Sequence, residues 1–128
     1  MTTQHLLLAL ALLLAAFDGG NGLYMVANPQ GWYDAVPGVA ATGPANSHFI
    51  IDVGFAYLTS MALLILAVLR PRQRGAFALA AAVWPMLHAG FHVVGDIGAG
   101  TTSTGDVLGI YAPAFAQLAL AGYWLAKD

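Results

Sequence analysis

Two short stretches hold most of the residues in this chain that could do chemistry. His88-Ala-Gly-Phe-His92-Val-Val-Gly-Asp96 places two imidazoles and a carboxylate at steps of four. On a helix that spacing puts all three on one face, each about a turn from the last. His48-Phe-Ile-Ile-Asp52 repeats the four-residue step with one imidazole and one carboxylate. Both stretches sit within apolar sequence. Ionisable groups there are costly in lipid and usually face the bundle interior. The two stripes are therefore expected to face each other.

Nitrogen and oxygen ligands without sulfur suit copper, zinc or non-haem iron. The expected ligand set is His48, Asp52, His88 and His92, binding one transition metal ion for redox, catalysis or metal handling. Asp96 is a spare ligand or a carboxylate that orients one of the imidazoles. Asp18 lies at a similar depth in another apolar segment and is expected to line the same cavity. In ligand type the set resembles the intramembrane copper site of membrane-bound methane monooxygenase, which also uses His and Asp on helices. The order and spacing differ, so the resemblance implies ligand chemistry alone.

Other readings compete. His48 with His88 or His92 could bind haem b axially, with Gly90 and Gly95 leaving room for the macrocycle. The chain could also be an accessory subunit of a larger membrane complex, its polar cluster structural or binding haem or quinone. The blandest reading is that the His and Asp side chains satisfy one another between helices; a proton or ion pathway is the functional form of that reading.

The elements that must position these residues follow from composition. The 128 residues are 59% hydrophobic and 8% charged, against about 25% charged in soluble domains. This reads as a single integral membrane domain spanning 1–128. A spanning helix needs roughly 20 mostly apolar residues, and four segments qualify, near 4–27, 48–69, 76–97 and 106–126. The fold class is all-α, a four-helix transmembrane bundle with both termini cytoplasmic; in this the chain resembles many small four-helix membrane proteins of bacteria, a resemblance that implies fold alone. The expected location is the bacterial inner membrane. The lipid bilayer is then the first partner, with a homo-oligomer or a larger membrane complex as further ones.

There is no cysteine, so disulfides, thiolate metal sites and covalent c-type haem are excluded. Net charge is −2, and no basic surface exists beyond Arg70, Arg72 and Arg74, so nucleic-acid binding is unsupported. No nucleophile constellation is visible: Thr59 and Ser60 have no base near them in sequence. The glycine-rich stretch at 98–105 lacks the strand, lysine and helix of a phosphate loop.

Leu6 to Phe17 would suit the apolar core of a signal peptide. No Lys or Arg precedes it, and apolar character resumes at Leu23-Tyr-Met-Val-Ala27, so a retained helix is expected. Three prolines and three glycines in 28–47 rule out a continuous helix there. This loop is expected to fold back over the bundle as a cap, with Trp32 and Tyr33 at the interface. Asn46 or Ser47 is placed to cap the second helix. The arginines at 70–74 mark the cytoplasmic side, so both termini are expected in the cytoplasm. His48, Asp52, His88, His92 and Asp96 then all fall in the outer half. Pro85 and Pro113 should kink their helices around that polar centre. His5 is expected to be interfacial and separate.

Overall fold

In a computed structural model, which describes residues 2–127, four long helices account for most of the chain. They are α1 (Thr3–Ala27), α3 (Ser47–Leu69), α4 (Arg74–Ala99) and α5 (Thr104–Leu125). A short helix, α2 (Pro29–Ala35), lies between the first two. Among the described residues there is no strand. All four long helices are long and apolar enough to cross a membrane. The shortest has 22 residues, and at 1.5 Å per residue spans about 33 Å, against a hydrocarbon core of about 30 Å.

Helix ends follow local chemistry. Asn28 ends α1, its N–H bonding the Tyr24 carbonyl, and its side chain then accepts from Gly31 N–H at 3.0 Å to start α2. Pro29 sits in the first turn of α2, where its missing N–H costs nothing. Asn46 caps α3, its side-chain oxygen accepting from Phe49 N–H at 3.1 Å. Gly100 closes α4 with φ +68°, a left-handed conformation that glycine adopts without a Cβ clash. Ser103 caps α5 by accepting from Asp106 N–H at 2.9 Å. At the tight α3–α4 connection, Arg74 Nε donates to the Ala67 carbonyl at 3.1 Å, and its guanidinium lies 5.4 Å from the centre of the Trp124 ring. It thereby satisfies a carbonyl that the end of α3 leaves open.

The helices run up and down. Met25 at the end of α1 clusters with Ile50 at the start of α3, so these two are antiparallel. Arg74 at the start of α4 reaches Trp124 near the end of α5, so that pair is antiparallel as well. One end of the bundle therefore holds the start of α1, the end of α5 and the arginines (the arginine end). The other holds residues 28–46 and 100–103 (the loop end). α1 packs chiefly on α3, α5 chiefly on α4, and α3 on α4 closes the set.

Packing is by small residues. Ala11, Ala15, Ala67, Ala78, Ala81 and Ala121 are buried at the arginine end around Leu14, Leu64, Leu120 and Trp124. Small residues let helix backbones approach closely in lipid, where no hydrophobic force drives association. The tightest approach is between α1 and α3. A Cβ on Gly22 would stand 2.7 Å from the Gly54 carbonyl oxygen, and one on Gly54 would stand 2.9 Å from Met25 Cβ. Large apolar side chains cover the outside instead: Leu13, Leu87, Val94 and Ile97 are exposed, and Phe91 is 77% exposed. A soluble monomer does not carry such a surface. It suits lipid, and together with the four apolar spans it suggests an integral membrane protein.

The glycine contact yields a test. Gly54→Val places two methyl groups against Met25, Val26 and the Gly22 carbonyl, and overpacking of this kind costs about 1–3 kcal/mol. Its melting temperature in detergent should fall by several degrees. Gly20→Ala should not lower it, because a Cβ there meets nothing within 4 Å.

Candidate functional site

The α4 stripe faces the bundle. Its buried positions run Gly75, Ala78, Ala82, Pro85 and Ala89, and the same face continues to the half-buried His92 and Asp96. His88 stacks on Trp84, with ring centres 5.3 Å apart and planes at 21°. Tyr57 of α3 meets the edge of that stack, 6.3 Å from the His88 ring. His92 lies 4.8 Å from His88, ring centre to ring centre. Its Nδ1 is 3.5 Å from Asp106 Oδ1. Asp96 accepts from the Tyr111 hydroxyl at 2.7 Å.

The α3 stripe faces away. The buried positions of that helix are Ile50, Gly54, Tyr57, Ser60, Leu64 and Ala67. Asp52 falls midway between Ile50 and Gly54, about 200° around the helix from each, and His48 shares its side. Their side chains are 89% and 58% exposed and pair with each other, Nε2 to Oδ2, at 3.4 Å. The expectation that the two stripes face each other is thus corrected by helical register. His48 and Asp52 do not join His88 and His92. Among the described residues, no group of three or more His, Cys, Asp or Glu side chains gathers as a metal ion would require.

Asp18 lies apart from both stripes, in the bundle interior, and is 1% exposed. Its Oδ2 is 2.6 Å from Ser60 Oγ and accepts from Gln117 Nε2 at 2.9 Å. Ser60 Oγ is also 3.0 Å from the Ala81 carbonyl and 3.2 Å from Gln117 Oε1. Three helices thus meet at one carboxyl. Between Asp18 and His88 is a cavity of about 10 Å³, bounded by Phe17, Tyr57, Pro85, Gly109 and Pro113. Pro113 has no N–H for the Gly109 carbonyl. The preceding turn, Val107–Tyr111, is widened, with Ala112 N–H bonding the Val107 carbonyl.

A larger cavity lies at the loop end. Residues 28–46 fold back over the helices, as a cap should. Trp32 of α2 donates its indole N–H to Asn21 Oδ1 at 2.8 Å, and the Tyr33 hydroxyl donates to the Gly43 carbonyl at 2.6 Å. Beneath this cap is a cavity of about 230 Å³. Met25, Trp32, Tyr33, Ile50 and Val53 form its largely apolar walls, and His88 brings the imidazole on its lining. In the same ring stack, the buried Trp84 Nε1 has no hydrogen-bond partner. A cavity with apolar walls and few polar groups is the usual form of a small-molecule site.

Asp106, Tyr111, Tyr57 and Gln117 were not among the residues expected to matter. Gln117 had a visible signal, as the one amide inside the last apolar segment. Asp106 had a weaker one, because it opens that segment beside the glycine-rich stretch at 98–105. No family model, curated protein or solved structure matches the chain. Function therefore rests on the site alone.

The cap provides its own test. Trp32→Phe keeps a ring against Met25 but removes the N–H that holds α2 to α1, a bond worth roughly 1 kcal/mol. Limited proteolysis within residues 36–46 should speed up severalfold, with the melting temperature of the bundle nearly unchanged.

Proposed function

We propose that this chain is a small integral membrane protein, of the bacterial inner membrane, that binds a single-ring amphiphile of the quinone head-group class beneath the cap formed by residues 28–46. The observation that carries this reading is the cavity of about 230 Å³, walled by apolar and aromatic side chains, with one imidazole on its lining. An apolar cavity of about 150 Å³ takes up benzene, so this one suits one substituted ring better than a haem macrocycle. The His88 ring can donate to a ring carbonyl. The cavity opens at the end of a span, where a molecule with a polar head and an apolar tail concentrates.

The reading is tested with the reconstituted protein and a short-chain benzoquinone. Trp32 lines the cavity, so tryptophan fluorescence should quench saturably. His88→Ala should weaken binding at least tenfold, and His48→Ala, on the exposed face, should leave it unchanged. Quenching that never saturates, or that is the same in wild type and His88→Ala, rejects the reading. Elemental analysis of the same preparation tests the transition-metal reading, for which His88, His92 and Asp106 lie closest to one another.

We place the arginine end, with both termini, in the cytoplasm, because Arg70, Arg72 and Arg74 form the basic cluster of the chain. Reporter fusions should then be active on the cytoplasmic side after residue 72 and on the outer side after residue 38. The reverse pattern would move the cap and its cavity to the cytoplasmic face.

A further inference from the structure

The buried contact between Asp18, Ser60 and Gln117 has too few hydrogens if Asp18 is ionised. Four polar contacts converge there: Ser60 Oγ to Asp18 Oδ2 (2.6 Å), to the Ala81 carbonyl (3.0 Å) and to Gln117 Oε1 (3.2 Å), and Gln117 Nε2 to Asp18 Oδ2 (2.9 Å). The side chains bring two hydrogens to these contacts, one from the Ser60 hydroxyl and one from the face of the Gln117 amide turned to Asp18. The Ala81 carbonyl has no helical donor, because its partner four residues on is Pro85, which lacks an N–H. It therefore depends on Ser60. If the hydroxyl gives its hydrogen to Asp18, the Ala81 carbonyl goes without.

One more hydrogen on Asp18 resolves the conflict. The carboxylic acid donates to Ser60 Oγ, and Ser60 then donates to the Ala81 carbonyl, with Gln117 Oε1 its more distant acceptor at 3.2 Å. A separation of 2.6 Å between Asp18 Oδ2 and Ser60 Oγ is a hydrogen-bond length.

We propose that Asp18, Ser60, Gln117 and the Ala81 carbonyl freed by Pro85 form a proton-binding site in the membrane interior, which exchanges its proton toward the loop end. The titratable groups turned toward Asp18 are Tyr57 from α3 and His88 from α4; α5 presents Gln117, Gly109 and Pro113. Arg74 lies at the arginine end, bonded to the Ala67 carbonyl. The cavity of about 10 Å³ between Asp18 and His88 is close to the minimum for one water. From His88 the polar groups continue to His92 and Asp106. In the other direction Leu14, Leu64, Leu120 and Trp124 seal the interior. The step moves a proton alone: it leaves the Asp18 carboxyl for a water taken up by this cavity and passes outward by way of His88, with no electron transferred. This inference does not depend on a ligand beneath the cap.

Infrared spectroscopy of the reconstituted full chain tests it directly. At neutral pH a carbonyl stretch from a protonated carboxyl should stand above the amide band. Asp18→Asn should abolish it while keeping the bundle folded, because the asparagine N–H can donate to Ser60 as the acid does. Ser60→Ala and Pro85→Ala retain Asp18 and should each shift the band, the first by removing its partner and the second by giving Ala81 a backbone donor. His88→Phe should keep the band but slow its exchange in heavy water at least tenfold. Absence of the band in the wild type, or its persistence in Asp18→Asn, overturns the proton site. Loss of the band on adding sodium replaces the proton with a metal cation and also overturns it. Equal exchange in wild type and His88→Phe overturns the route.

Discussion

A polar group inside an apolar helix bundle has no water to fall back on, and most of this molecule follows from that constraint. Asp18 is the group least able to be left alone. Its partners come from α3 and α5, and Ser60 in turn bonds the α4 backbone. One carboxyl therefore links all four spans near mid-depth. That linkage requires the backbones to come close, which the alanines at the arginine end and the Gly22–Gly54 approach allow. An apolar bundle of the same shape could slide or rotate between near-equivalent packings. A shared polar contact selects one register, in the way that a buried polar residue fixes register in coiled coils.

The two ends of the bundle divide the work. The arginine end is dry, built from alanine, leucine and Trp124, with Arg74 tying off carbonyls of α3. The loop end is where imidazoles, carboxylates, tyrosines and the cap gather. Both prolines inside the spans fall near the boundary between these regions. Pro85 releases a carbonyl that Ser60 takes up, and Pro113 follows the widened turn beside the small cavity. Each missing N–H thus coincides with a place where the interior stops being apolar.

The long helices were legible because hydropathy and length decide spans, and Asn46 announced the start of α3 by its capping chemistry. The face of each stripe was only half legible. A four-residue step shows that His48 and Asp52 share a side, but not which side. That was settled by Gly54 and Tyr57, buried residues that lie across the helix from Asp52. For α4 the alanines preceding His88 pointed inward on the same register as the polar residues. The pairing of His92 with Asp106 depends on how tightly the chain turns at residues 100–103, which composition does not reveal. α2 was hidden for a similar reason: glycine and proline spoke against one long helix, yet left room for a two-turn one held by Asn28.

The uneven packing of the four helices has a mechanical meaning. α1 rests on α3 and α5 on α4, while α1 and α5 meet only lightly. The bundle is thus two helical hairpins joined along one broad face, like a book with its spine at α3–α4. The hydrogen bond from Gln117 to Asp18 is the clasp across the open edge. Phe17 on one cover, and Gly109 and Ile110 on the other, border the small cavity just inside it. Were the bundle set in a bilayer, a molecule dissolved among the acyl chains would meet its weakest barrier along this edge and enter sideways.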